Sequence, residues 1–262
     1  MEIISSKDNE WVKNIRKLKD KKVRDEQNVF VIEGIKIIEE AIVEKANIMQ
    51  IIICEECEKT ALISKELMYE IAKYDCRYVS ENVFKTLTTV INPQGIIAII
   101  NKNDAAKIKY DEDIIIALDG IQDPGNLGTI LRTVDSIGVK QILVSKDTAD
   151  IYNPKVVRST MGAIFRVKVI ICEDLKEIIK ELKKHKFTTV VTDLKTNNSI
   201  YDINYNKKLI IIGNEANGVS KEILNEANER VKIPMLGKTE SLNASVATGI
   251  ILYEYVRQKI SK

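Results

Sequence analysis

Apolar positions in this 262-residue chain fall in short unbroken runs, separated by amphipathic stretches, and the two alternate from end to end. In the first part, strand-like runs occupy 29–33, 48–54, 77–79 and 96–100, with helical periodicity between them at 36–44, 59–74 and 81–89. Alternation of this kind predicts an α/β domain with a mainly parallel sheet. Residues 101–113, NKNDAAKIKYDED, are polar and interrupt the rhythm. They read as a linker, which places a domain boundary between 105 and 106.

The rhythm then restarts, with strands expected at 114–118, 141–144, 165–171, 188–192, 209–213 and 231–233. Helices are expected at 126–137, 174–184, 220–226 and 241–259. Continuous Ile, Val and Leu runs predict strands buried on both faces, as in a doubly wound sheet. The last helix reads as opening at Ser241. Small residues crowd its first turns (Ala244, Ser245, Ala247, Thr248, Gly249), so another backbone or a flat ligand can come close. A terminal helix packed on the core accounts for the same stretch.

Composition narrows the class. The chain is 45% hydrophobic and 30% charged, ordinary for a soluble globular protein. No apolar run has bilayer-spanning length, and the N-terminus lacks a signal peptide's basic-then-apolar order, so a cytoplasmic location is expected. Four cysteines do not make a disulfide framework; Cys54 and Cys57 form a lone C-x-x-C with no second pair. They read as structural thiols, with a redox pair or part of a metal site as the other readings. Net charge is only +2, but residues 7–24 hold eight basic residues against three acidic ones. Such a helix is either a phosphate-contacting face or a solvated one.

Two βα junctions carry candidate chemistry. Strand 114–118 runs into DGIQDPGNLGTILRT, where Asp123 to Asn126 form a turn and Asn126 can cap the next helix. A helix N-terminus, an Asn amide and Arg132 six residues on suit a phosphate or a ribose edge; a capped βα unit with a surface arginine is the simpler account. Strand 209–212 runs into GNEANGVS, where Gly213 permits close backbone approach, Gly218 an unusual turn, and Glu215 stands at the carboxyl end of a buried strand. Thr192, Asp193, Met235 and the loop before Ser241 belong to the same edge. The chain has neither G-x-G-x-x-G after a strand nor G-x-x-x-x-G-K-[ST], which argues against dinucleotide binding and triphosphatase chemistry. With His185 as its one histidine, Ser-His-Asp hydrolysis and a His-rich metal site are disfavoured, and no metal is expected.

The segments NLGTILRT (126–133), IGNEANG (212–218) and, from Ile233 to Ala247, IPM followed by SLNASVA together resemble the three ordered motifs of the SpoU/TrmH methyltransferases, in the SPOUT superfamily of RNA ribose 2'-O-methyltransferases. KVVRSTMGA (155–163) resembles the family's segment between the first two motifs. Ser6, Asn14, Lys17, Leu18 and FVIEG (30–34) are similar to the RNA-binding domain that precedes the catalytic domain in many members, so the resemblance spans nearly the whole chain.

That resemblance implies an α/β protein: a small N-terminal RNA substrate-binding domain (1–105), then a parallel-sheet SPOUT domain (106–262) with a deep C-terminal trefoil knot. It implies a homodimer pairing the C-terminal and first-motif helices, and S-adenosylmethionine as cofactor. Thr192, Gly213, Asn214, Ile233, Met235 and Leu242 then hold the cofactor, while Asn126, Arg132, Glu215, Ser241 and Asn243 surround the transferred methyl and the ribose. Lys13, Arg16, Lys17, Arg24 and Arg158 are the expected RNA contacts. The implied reaction is 2'-O-methylation of structured RNA, ribosomal in first place because the extra domain resembles that of ribosomal RNA enzymes. Transfer RNA, a catalytically silent RNA-binding protein and a small-molecule binder are the alternatives.

Overall fold

The computed structural model describes residues 2–56, 63–102 and 107–261. Cys57, the start of the helix expected at 59–74 and part of the expected linker lie outside the described residues. In chain order the elements are β1 (Ile3–Ile4), α1 (Glu10–Lys17), α2 (Lys21–Glu26), β2 (Val29–Glu33), α3 (Ile35–Val43) and β3 (Ile48–Cys54). Then come α4 (Lys65–Ile71), β4 (Cys76–Val79), α5 (Glu81–Leu87), β5 (Ile96–Asn101), β6 (Ile114–Asp119), α6 (Pro124–Ser136) and β7 (Gln141–Ser145). The remainder are α7 (Pro154–Ser159), α8 (Ala163–Arg166), β8 (Lys168–Cys172), α9 (Leu175–Lys184), β9 (Thr188–Thr192), β10 (Lys208–Gly213), α10 (Lys221–Glu226), β11 (Glu229–Val231) and α11 (Ala244–Ile260).

The chain divides into two compact units. Residues up to 102, together with Tyr152–Phe165, make the first; 107–151 and the residues from Arg166 onward make the second. Sheet order in the first unit is β1-β4-β3-β5-β2. β1 and β3 pair parallel with β4, whereas β5 runs antiparallel to both β3 and β2. The sheet is therefore mixed, not mainly parallel as expected. β1 to β4 run in one direction, and β5 alone is reversed, inserted between β2 and β3. Period-two alternation then builds two cores. Ile51 and Ile53 of β3, with Ile96, Ala98 and Ile100 of β5, face one side; Ile52, Cys54, Ile97 and Ile99 face the other. Val157 joins the first of these cores, with the Tyr152 ring tilted against Phe30, centroids 4.8 Å apart.

The second sheet, β11-β9-β10-β6-β7-β8, is parallel at every pairing. From β6 the chain moves outward through β7 to β8, then returns to the other side through β9 and β10. The switch in direction lies between neighbours β6 and β10, whose ends meet in register at Asp119 and Gly213. Open parallel sheets bind ligands at such a point, outside the carboxyl ends of the strands. One face buries Ile115, Ala117, Leu209 and Ile211 under α9 and α10. α11 packs along α6.

A candidate active site at the switch point of the parallel sheet

The turn after β6 is built by its caps. Asp123 is the N-cap of α6, accepting from the Asn126 amide at 2.8 Å, with Pro124 at the helix start. The expected cap, Asn126, instead lies in the first turn, 7% exposed, which releases its side chain for tertiary bonds. Asp immediately before Pro was the signal for this cap, because Pro favours the first helical position and Asp the one before it.

The turn after β10 folds back on itself. Asn214 and Gly218 exchange backbone bonds at 3.0 and 2.9 Å, and Asn214 Oδ1 accepts from the amides of Ala216 and Asn217. A Cβ on Gly213 would lie 2.1 Å from the Val219 nitrogen, so only glycine fits there. Asn214 Nδ2 donates to the Gly120 carbonyl at 2.7 Å and ties this turn to the one after β6.

Glu215 completes the tie. Its Oε1 accepts from Asn126 Nδ2 at 2.9 Å and its Oε2 from the Gln122 amide at 3.2 Å. Asn126 Oδ1 in turn accepts from Asn243 Nδ2 at 2.8 Å. Burial pushes the Glu215 carboxyl up, but the bonds from Asn126 and the backbone amides outweigh it and hold its pKa below the ordinary value. Glu215 is an anion at neutral pH.

Beside this chain opens a cavity of about 590 Å³. It is lined by all six residues expected to hold a cofactor (Thr192, Gly213, Asn214, Ile233, Met235, Leu242), and also by Glu215 and Ser241. That volume is in the range of roughly 300–1,000 Å³ typical of small-molecule sites. Ile233, Met235 and Leu242 give it an apolar wall, and Glu215 a negative one suited to a cation. Asp193, expected at this edge, also lines the cavity, and it is ion-paired at 3.3 Å with Arg230, a lining residue absent from the sequence expectation. Asn126 and Asn243 stand behind Glu215, outside the lining. Arg132 is exposed on α6, away from the cavity lining, and has no hydrogen-bond or ion-pair partner among the described residues.

Ser241 is not the cap of the last helix. Asn243 is, accepting from the amides of Ser245 and Val246 at 2.9 and 3.3 Å.

The expected RNA contacts lie in the first unit. Lys13 and Lys17 are exposed on α1, Lys13 paired with Asp8 at 3.2 Å and Lys17 donating to Asn14 at 3.3 Å. Arg16 is half-buried, and Arg158 donates to Thr89 Oγ1 at 2.7 Å. Arg24 is a correction. It is 2% exposed and its guanidinium holds the carbonyls of Leu18 and Lys19 at 2.9 and 2.8 Å, joining α1 to α2. A group so buried and so engaged cannot contact RNA. The single basic helix is in fact two, broken at Asp20, which caps α2.

Comparison with known proteins bears on the same motifs. The sequence profile of the SpoU rRNA Methylase family matches residues 113–253, and that of the MRM3-like substrate binding domain matches 9–98. The 23S rRNA (guanosine(2553)-2'-O)-methyltransferase RlmP of Bacillus subtilis (strain 168) is 32% identical over 97% of this chain and 98% of its own. The AdoMet-bound rRNA methyltransferase from Sinorhizobium meliloti superposes with a TM-score of 0.86 at 30% identity, covering 98% of each chain. An RNA 2'-O ribose methyltransferase of known structure gives 0.84 at 30% identity, covering 99% of this chain and 100% of its own. The family profile spans the residues that build the parallel sheet and its switch-point cavity, and the relative from Bacillus subtilis matches nearly the whole chain, which belongs to the SpoU rRNA methylase family.

Proposed function

We propose that this protein transfers a methyl group from S-adenosylmethionine to a ribose 2'-oxygen of RNA, and that the RNA is ribosomal. The observation that carries this reading is the switch-point cavity: the six motif residues expected to hold the cofactor line it, and the Asn243–Asn126–Glu215 chain closes beside it. The relative named as a 23S rRNA methyltransferase matches 97% of the chain, first unit included, which favours ribosomal over transfer RNA.

When bound, S-adenosylmethionine supplies a methyl group on a sulfonium sulfur, with a neutral thioether as leaving group. Ile233, Met235 and Leu242 would bury its flat base, and Thr192, Gly213 and Asn214 would face its polar edges. Glu215, held ionised, favours a cation at the cavity wall and fixes the loop that carries Gln122 and Asp123. Ser241 offers a hydroxyl to the ribose. A guanidinium offers donors and no acceptor, so Arg132 positions a phosphate or the attacking 2'-oxygen, whose proton passes to solvent, rather than acting as the base.

A homodimer accords with α11, where Val246, Tyr253 and Ile260 recur every seven residues, 49%, 55% and 79% exposed. A second copy covers this face, next to α6 and Arg132. Lys13, Arg16, Lys17 and Arg158 contact the RNA through the first unit.

Mass-spectrometric mapping of ribose methylation in cells with and without the gene tests the reading. One methyl lost from ribosomal RNA, restored by purified protein and S-adenosylmethionine, is the expected result. A methyl lost from transfer RNA would move the substrate, and no change at any position with the protein expressed would overturn the enzyme.

A further inference from the structure

Three cations distant in sequence meet on the turn that follows α5. Lys19 Nζ donates to the carbonyls of Thr86 and Thr88, each at 2.9 Å. Arg158 Nη1 donates to Thr89 Oγ1 at 2.7 Å, and Arg16 Nη2 to Thr86 Oγ1 at 3.3 Å and to the Lys7 carbonyl at 3.2 Å. The Nε of Arg16 is buried without a partner. Among the described residues none of the three is ion-paired with a carboxylate.

The carboxylate nearest the turn, Glu33, is spent on the turn itself. It is 9% exposed and accepts from Thr88 Oγ1, from the Thr89 amide at 3.0 Å and from Thr89 Oγ1 at 3.2 Å. Three positive charges thus share this turn with one buried negative charge, and their mutual repulsion is relieved by an anion. Lys19 registers the crowding: burial lowers its pKa, Glu33 raises it and Arg16 lowers it again, for a net downward shift. A cavity of about 20 Å³, lined in part by Lys19, Glu33, Thr89 and Arg158, leaves room for one oxygen-sized group. Capping of the carbonyls at the end of α5 explains Lys19 alone. It does not explain Arg158, which arrives from α7 and uses one of its five donors on a threonine hydroxyl.

We propose that Arg16, Lys19 and Arg158, arranged on the 86–89 turn, bind one backbone phosphate of the RNA substrate, with Glu33 positioning the threonines. This rests on the RNA-methyltransferase reading and adds to it Lys19 and the place where the phosphate sits. Two guanidinium forks and an ammonium gathered on one four-residue turn suit a phosphodiester's two free oxygens.

The test begins with wild-type affinity for a ribosomal RNA fragment across a salt series. Lys19→Met with Arg158→Met should weaken binding about tenfold and lower the log–log salt slope by about 0.7–0.9, the share of one phosphate. Lys65→Met with Lys73→Met on and beyond α4 should leave the slope nearly unchanged. Lys19→Met alone, at an exposed side chain, guards against misfolding in the double variant and should give part of the same loss. Inorganic phosphate added to the protein without RNA should shift the Thr86, Thr88 and Thr89 amide resonances in the wild type, and not in the double variant. An unchanged slope in variants of a wild type that binds RNA overturns this site and leaves the methyltransferase reading intact. A wild type that binds no RNA overturns both.

Discussion

Asn126 donates its side-chain amide to Glu215 at 2.9 Å, across 89 positions of sequence, and its oxygen accepts from Asn243 at 2.8 Å. The three residues belong to three different motifs, on the turns after β6 and β10 and at the start of α11. A side-chain amide can donate to a carboxylate and accept from a second amide at once, which a carboxylate or a hydrocarbon cannot. One neutral side chain therefore sets the spacing of all three motifs.

Asn126→Ala leaves both the Glu215 carboxylate and the Asn243 amide short of a partner, a loss of about 1–3 kcal/mol. Asn126→Asp is expected to cost more activity than its small change in size suggests, because two carboxylates then face each other and repel. Thermal unfolding alongside methyl-transfer assays checks both variants. A melting temperature unmoved by Asn126→Ala would mean that this bond does not hold the motifs together.

Glu215 also predicts a pH dependence. Its folded pKa lies below the unfolded value, so the stability it contributes is fully present above the ordinary carboxylate pKa. That contribution is lost as pH falls through the depressed folded value. Glu215→Gln should therefore lower stability at neutral pH and flatten the acid limb of a melting-temperature profile. Parallel acid limbs for the two proteins would show that the carboxylate is not stabilised by its donors.

Much of the second sheet is legible in the sequence because its strands are unbroken apolar runs, and β2, β3 and β9 fall on the expected residues. Strand direction is not legible. β5, Ile96–Asn101, is as apolar as a central parallel strand, and only its partners reveal that it runs the other way. Of the cavity residues, Thr192, Asp193, Gly213, Glu215 and Met235 were readable from their places after strands, whereas Asn214, Ile233 and Leu242 came from the family resemblance. The tertiary chain from Asn243 through Asn126 to Glu215 was not, since it depends on which of several polar residues each cap leaves free. Arg24 was misread for a related reason: a basic run shows charge, while burial depends on where α1 breaks.

Gly213→Ala tests the close approach of the two strands of its turn. The added methyl would meet the Val219 nitrogen at 2.1 Å and the Gly218 carbonyl carbon at 2.2 Å, both backbone atoms that cannot rotate away. Overpacking of this kind costs about 1–3 kcal/mol or more. Calorimetric titration with S-adenosylmethionine should show much weaker binding, because the shifted turn carries Asn214 and Glu215 along the cavity wall. Retained affinity would place the cofactor elsewhere.

Arg132 separates binding from turnover. It is exposed and away from the cavity lining, so Arg132→Ala should abolish or strongly reduce methyl transfer while cofactor affinity stays nearly intact. Single-turnover rates and a cofactor titration on one preparation decide the point. A large loss of cofactor affinity would refute the positioning role given to this side chain.

The start of α11 offers a comparison between two neighbouring residues. Asn243 accepts from the amides of Ser245 and Val246 and donates to Asn126, whereas Ser241 lines the cavity and caps nothing. Asn243→Ala should lose a helix cap, about 0.5–2 kcal/mol, and disturb Asn126 as well. Ser241→Ala should leave the melting temperature nearly unchanged and act on the Michaelis constant for RNA or on turnover. Asn243→Asp supplies the discriminating case, because aspartate caps as well as asparagine but cannot donate to Asn126 Oδ1. If it restores stability without restoring activity, the cap and the motif spacing are separate contributions of one side chain. If it restores both, the bond from Asn243 to Asn126 is dispensable, and Glu215 alone holds Asn126 in place.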